Sequence, residues 1–240
     1  MKRFLIFPLG LMLCIAFFPS CEETYGETDL FIETRFRPGG DPWDSATTYM
    51  VQGTALRFTD MRYYLSGFEV WWVESVDDVA GVVLVHPGES RYYVGRVIAS
   101  EYNNLYCKVG VTEDLNHLNP GRYAGANPLG VQTPSMHWNQ TDGYIFLRLE
   151  GEYDSDGDGE PDTPFLIHLG GDENLSFCDI YPWEVDGSEA EEVLARIDFD
   201  PLKLFTNIDF PMENSTQTWD FPEIAAMVSS NVPNAFSQGW

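Results

Sequence analysis

Positive charge is what this chain has least of. Lys and Arg number 13 against 38 Asp and Glu in 240 residues, giving a formal net charge of −25 at pH 7. No basic face is available to neutralise phosphates, so nucleic acid is excluded as a partner. A cation or a basic protein surface is the better electrostatic complement. Histidine is scarce at four residues, and none falls in an HExxH or comparable signature. The four cysteines show no CxxC spacing, which gives no support to a thiolate metal site. No βαβ alternation and no internal repeat appears.

Long apolar runs are also missing, except at the start. Lys2 and Arg3 precede an apolar core over residues 4–18, too short to span a bilayer as a stable helix, and Pro19-Ser20-Cys21 closes it. That is the pattern of an export leader. It resembles the lipoprotein type, with cleavage before Cys21 and lipid on its thiol. Phe18 and Pro19 depart from the usual lipobox, which leaves ordinary secretion open. The expected organisation is a leader over 1–20, an acidic tether over 21–28 and one domain over 29–240. The expected location is the periplasm or the outer-membrane surface, lipid-anchored. With Cys14 lost and Cys21 lipidated, Cys107 and Cys178 remain. In an oxidising compartment they form a disulfide, or else two buried thiols.

Aromatic residues make up 15% of the chain, with 21 Gly and 15 Pro as punctuation. Short strands and frequent turns follow from that composition. Strand signals recur at residues 30–36, 56–73, 82–85, 91–94, 104–111, 144–149, 165–169 and 196–199. Gly67 interrupts the second of these as a bulge would. Residues 201–205 read as a helical turn, and residues 224–228 as a short helix near the C-terminus. The fold class is all-β: an antiparallel β-sandwich with long loops and a short C-terminal helix.

Two features carry chemistry. The first is the acidic loop Asp154-Ser155-Asp156-Gly157-Asp158-Gly159-Glu160-Pro161-Asp162, between two strands that pair as a hairpin. Asp154, Asp156, Asp158 and Asp162 occupy positions 1, 3, 5 and 9 of a calcium loop, with Gly159 at the sharp turn. Phe165 stands where a bidentate glutamate would complete an EF-hand, and no helices flank the loop. Calcium would neutralise the cluster; a solvated acidic turn is the plain alternative.

The second feature is the placement of histidines. His117 follows a strand, His137 and Trp138 precede one, and His168 lies within one, facing away from Ile167 and Leu169. Imidazoles on converging elements are what copper, zinc and iron sites use. Hydrogen-bonded structural histidines are the alternative, and Trp138 has a packing role open to it. His86, beside Pro87-Gly88, reads as a turn residue.

Several segments resemble the MbnP-like copper-binding proteins. They are Gly110-Val111-Thr112-Glu113-Asp114-Leu115-Asn116-His117, then Pro134-Ser135-Met136-His137-Trp138 with Gly143-Tyr144-Ile145-Phe146-Leu147-Arg148-Leu149, and then His168-Leu169-Gly170. Phe58-Thr59-Asp60-Met61-Arg62-Tyr63-Tyr64-Leu65-Ser66 and Ile197-Asp198-Phe199-Asp200-Pro201-Leu202-Lys203-Leu204-Phe205 extend the resemblance over residues 28–236. It implies a β-sandwich outside the cytoplasm that holds copper by two histidines and a kynurenine. The resemblance also implies a partner di-haem enzyme of the MbnH or MauG-like type, which would make the kynurenine by oxidising a tryptophan. On this chain His117 and His168 would be the imidazole ligands and Trp138 the modified residue. Gln140 stands where the family often has a second tryptophan, which makes His137 a further candidate ligand.

The leading functional expectation is therefore a copper-binding protein, not an enzyme, for acquisition, storage or delivery, with a calcium loop beside the copper site. An extracytoplasmic metalloenzyme and a calcium-dependent surface binding module are the alternatives.

Overall fold

The computed structural model describes residues 26–72, 75–210 and 212–240. The leader, Cys21 and most of the tether lie outside the described residues. The first strand, β1 (Glu27–Phe36), already takes in the last two tether positions. Strands β2 (Tyr49–Val51), β3 (Thr54–Trp72), β4 (Ser75–Val85), β5 (Arg91–Ile98) and β6 (Glu101–Val109) follow. After the short helix α1 (Glu113–Asn116) come β7 (His137–Asn139), β8 (Gly143–Tyr153), β9 (Thr163–Gly170), β10 (Ser176–Ile180), β11 (Val185–Asp186), β12 (Glu192–Phe199) and β13 (Ser215–Thr216). Helix α2 (Pro222–Ala235) and β14 (Phe236–Gln238) end the chain. Among the described residues no helix is long and apolar enough to cross a membrane.

The strands make two sheets. The smaller runs β14-β12-β1-β5, and the larger runs β10-β6-β3-β8-β9-β13, with β2 and β4 on β3, β7 on β8 and β11 on β6. Side-chain alternation explains why they stack. In β1, Thr28, Leu30, Ile32, Thr34 and Phe36 are all buried, and the residues between them are not. The core fills the space between the sheets with Leu30, Ile32, Ile197 and Phe199 from one side, and Phe58, Met61, Tyr63, Leu147, Leu149, Ile167 and Leu169 from the other.

The sandwich expected from the sequence is present, with two departures from antiparallel pairing. β1 pairs with β12 in parallel, and β13 pairs with β9 in parallel. Most of the chain separates β1 from β12, so no tight hairpin dictates their direction. Gly67 does mark a bulge: its φ is +53°, and the β3–β4 register shifts between Ser66 and Phe68.

A second, smaller core lies on the outer face of the larger sheet. Tyr64, Tyr144 and Phe146 point outward there and meet Leu129 and Met136 from the long loop over residues 118–136. The Tyr64 hydroxyl donates to the Pro128 carbonyl at 2.9 Å, and the Tyr144 hydroxyl donates to Leu129 at 2.6 Å. The loop is thus anchored by burial and by hydrogen bonds, and it delivers His137 and Trp138 to the start of β8.

Cys107 and Cys178 are directly opposite on β6 and β10, and both are fully buried. The structure holds them as free thiols, one of the two states that the sequence leaves open. A hydrogen bond with Cys107, together with burial, holds the Cys178 thiol well above its ordinary pKa.

Candidate metal centre

The end of β9 and the turn after it gather the candidate residues in steps of two. His168 and Gly170 lie on one face of the strand, and Asp172 begins the turn that follows.

His168 is 7% exposed although it lies on the outer face of the sheet. Its Nε2 meets Glu150 Oε1 at 2.8 Å, while its Nδ1 is buried and has no hydrogen-bond partner. Burial holds the imidazole below its ordinary pKa, against the pull of Glu150. The ring is therefore neutral at pH 7. With a carboxylate accepting at Nε2, the proton sits on Nε2 and the Nδ1 lone pair is free.

Trp138 lies over Gly170. A Cβ at position 170 would fall 2.3 Å from Trp138 Cζ3 and 2.6 Å from the Tyr144 carbonyl oxygen, so only glycine permits this approach. The other flank of the Trp138 ring meets Trp219 edge-to-face, centroid to centroid 4.7 Å. Thr218 closes the same corner. Its hydroxyl donates to the His168 carbonyl at 2.9 Å and accepts from the Gly170 N–H at 3.0 Å. The φ of +68° at Thr218 is a strained conformation that this pair of bonds helps to hold.

His117 caps the C-terminus of α1 and is held against Asp172. Its Nε2 lies 2.9 Å from Asp172 Oδ2, and its Nδ1 lies 3.1 Å from the Gln140 carbonyl. Asp172, with the Gln140 carbonyl second, raises the imidazole pKa. Burial pushes the Asp172 carboxyl up, but hydrogen bonds from His117 and Asn116 outweigh it and hold it below its ordinary value. Asn116 is the clamp. Fully buried, it donates to Asp172 Oδ1 at 2.9 Å and accepts from the Tyr144 N–H at 2.8 Å. Gly143, at φ +75°, leaves room for it; a Cβ there would sit 2.3 Å from Asn116 Oδ1.

His137 is placed differently. Its ring meets the Tyr144 ring at 4.8 Å, its Nε2 is buried without a partner, and burial lowers its pKa. It pairs with Tyr144, whereas His168 pairs with Arg148, four residues along β8. A groove of about 510 Å³, lined by His137, Trp138, Gln140 and Val131 among others, opens beside it.

The acidic loop is closed by hydrogen bonds from its own backbone to its aspartates. Asp154 Oδ1 accepts from the Gly157 N–H at 2.7 Å, and Oδ2 accepts from the Gly159 N–H at 2.8 Å. Among the described residues, Asp154, Asp156 and Asp158 are the one group of three His, Cys, Asp or Glu donors within 4.8 Å of one another. His117, His137 and His168 do not form such a group. Asp162, expected as a fourth calcium ligand, lies outside the triad and instead accepts from the Thr163 hydroxyl at 3.0 Å.

A family model described as MbnP matches residues 26–221. The chain belongs to the MbnP family. Among solved structures, MbnP from Methylosinus trichosporium is similar, with a TM-score of 0.60 and 15% sequence identity over 89% of this chain and 99% of that one. At that identity the likeness establishes the shared fold. No curated protein sequence matches. The resemblance carried by the motifs around His117, Trp138 and His168 is thus borne out at the level of family and fold.

Within this MbnP fold, the sequence reading missed the residues that hold the candidates in place. Glu150, Asp172, Asn116, Thr218 and Trp219 all contribute through partners distant in sequence. The one local signal was Gly170 two residues after His168, a glycine at a strand end where another side chain approaches.

Proposed function

We propose that this protein binds copper outside the cytoplasm for its acquisition, storage or delivery, with His168 and His117 as imidazole ligands and Trp138 beside them. The observation that carries this reading is the buried, partnerless Nδ1 of His168 on a ring whose Nε2 is tied to a carboxylate. A metal-binding imidazole characteristically has that arrangement, with its second nitrogen oriented by an acidic side chain. A neutral imidazole donor suits copper, and an ion there would satisfy a nitrogen otherwise left unpaired in a buried site.

His117 fits with one condition. Both of its nitrogens are engaged, so it joins a metal only by releasing one contact. The Gln140 carbonyl is the longer of the two, and Asp172 would then remain as the orienting carboxylate. Trp138 packs over Gly170, two residues beyond His168, and also lines the groove beside His137. Family membership supports its oxidation to kynurenine by a di-haem enzyme of the MbnH or MauG-like type. His137, with its own unpartnered nitrogen, is the substitute donor in this reading.

The proposal extends to the acidic loop and to export. Calcium on Asp154, Asp156 and Asp158 would offset most of the charge of the three carboxylates and stiffen the β8–β9 hairpin that carries His168. Cys21 would carry the lipid that keeps the protein at the periplasmic or outer-membrane surface. Intact-mass and metal analysis of protein from its native source tests the reading. Bound copper, a modified mass at the Trp138 peptide and a lipid mass on Cys21 are the expected results. Copper-free protein with unmodified Trp138 would overturn it.

A further inference from the structure

We infer that Glu150 is a positioning residue that fixes His168 in its Nε2–H tautomer, so that Nδ1 is the atom this ring offers to a metal. The inference rests on the copper reading for its consequence but not for its geometry.

Glu150 Oε1 is a shared acceptor. It lies 2.8 Å from His168 Nε2 and 2.6 Å from Arg148 Nη2. Arg148 also reaches Asp60 Oδ2 at 3.2 Å and the Ser135 carbonyl at 3.2 Å. Arg62 binds the same Asp60 at 2.9 Å. These side chains lie at matching register positions on three neighbouring strands, Arg62 opposite Arg148 and Arg148 opposite His168. They form one charged row across the outer face of the sheet. Arg148 is mostly sheltered, with 14% of its side chain exposed, so its charge is only partly screened by water.

The row has a chemical consequence for His168. A carboxylate oxygen that already takes an arginine N–H is placed as an acceptor, so the imidazole presents its N–H to it at Nε2. The remaining lone pair is then at Nδ1, on a nitrogen that is buried and unpaired. The same Arg148 holds the Ser135 carbonyl, so the row also ties the segment leading to Trp138 onto the face that carries His168.

Two variants separate positioning from bulk. Glu150→Gln keeps an acceptor and loses the charge; Glu150→Leu loses both. The readouts are nitrogen-15 shifts of His168 in metal-free protein and the affinity for Cu(I) by competition with a chelator. Wild type should show a protonated Nε2 and a bare Nδ1. Glu150→Gln should keep that tautomer with a smaller loss of affinity. Glu150→Leu should show mixed tautomers and an affinity lower by roughly 10–100-fold, the range for removing a partner that orients a ligand. A thermal melt confirms that each variant is folded. A proton on Nδ1 in wild type would overturn the inference, as would a folded Glu150→Leu with wild-type tautomer and affinity. Wild type with the Nε2–H tautomer but no affinity for copper would sink the copper reading and leave Glu150 as the determinant of the tautomer.

Discussion

Trp138 lies so close over Gly170 that a Cβ on the glycine would come within 2.3 Å of the indole ring. The contact joins the segment before β8 to the end of β9. Replacing Gly170 by alanine cannot be absorbed by a flexible side chain alone, because the Tyr144 carbonyl is also in the way. Gly170→Ala should destabilise the protein by about 1–3 kcal/mol, the usual cost of overpacking. It should also displace Trp138, seen as a red-shifted tryptophan emission. A variant with unchanged melting and emission would show that the contact is not a constraint.

Asn116 offers a second test of how the site is held. Asn116→Ala strips a partner from the buried Tyr144 N–H and from Asp172. The expected loss is roughly 1–3 kcal/mol, the cost of leaving a buried polar group unpaired. His117 should become more mobile through its loosened tie to Asp172, read as broadened imidazole resonances. Loss of stability without any change at His117 would separate the two roles.

Much of this fold was legible in the sequence because its strands announce themselves locally. The apolar runs at residues 144–149 and 165–169, separated by an Asp- and Gly-rich turn, pair as β8 and β9. Gly67 marked its bulge, and residues 201–205 formed the expected helical turn. What the sequence did not reveal depends on side chains meeting across long separations. Glu150 reads as one acidic residue among many until His168 is placed beside it. Asp172 is one carboxylate among many in an acidic chain until the fold sets it 2.9 Å from His117 Nε2. Trp219 falls outside every segment that the sequence marks as a strand, helix or site, and only the fold brings it to Trp138. The parallel pairing of β1 with β12 leaves no mark at short range, since alternation fixes which face is buried and not which way the partner runs.

The two thiols make a prediction about compartment. Cys107 and Cys178 are in register on neighbouring strands, a placement compatible with a disulfide. After export, exchange with an oxidised dithiol carrier should join them, each sulfur losing a proton and the carrier taking up two electrons. Denaturing alkylation of exported protein should then label neither cysteine. The bond should add about 2–5 kcal/mol of stability over the reduced form. Full labelling of both residues would show that the free thiols of the structure persist.

The acidic loop predicts a calcium response. Wild type should melt at a higher temperature as calcium rises, because an ion that binds only the folded state stabilises it by mass action. Asp156→Ala with Asp158→Ala should abolish that rise and leave the calcium-free melting point little changed, since both side chains are exposed. Equal calcium responses in the two proteins would remove this loop as the site.

The central claim is that His168 holds copper, and a competition titration with Cu(I) measures it most directly. Wild type and His168→Ala are compared, each first shown to be folded by circular dichroism. The account predicts one tight site in wild type and an affinity at least roughly 100-fold weaker in His168→Ala, because losing a ligand should cost no less than losing the residue that orients it. Equal affinity in the two proteins, or no copper bound by wild type, would contradict it.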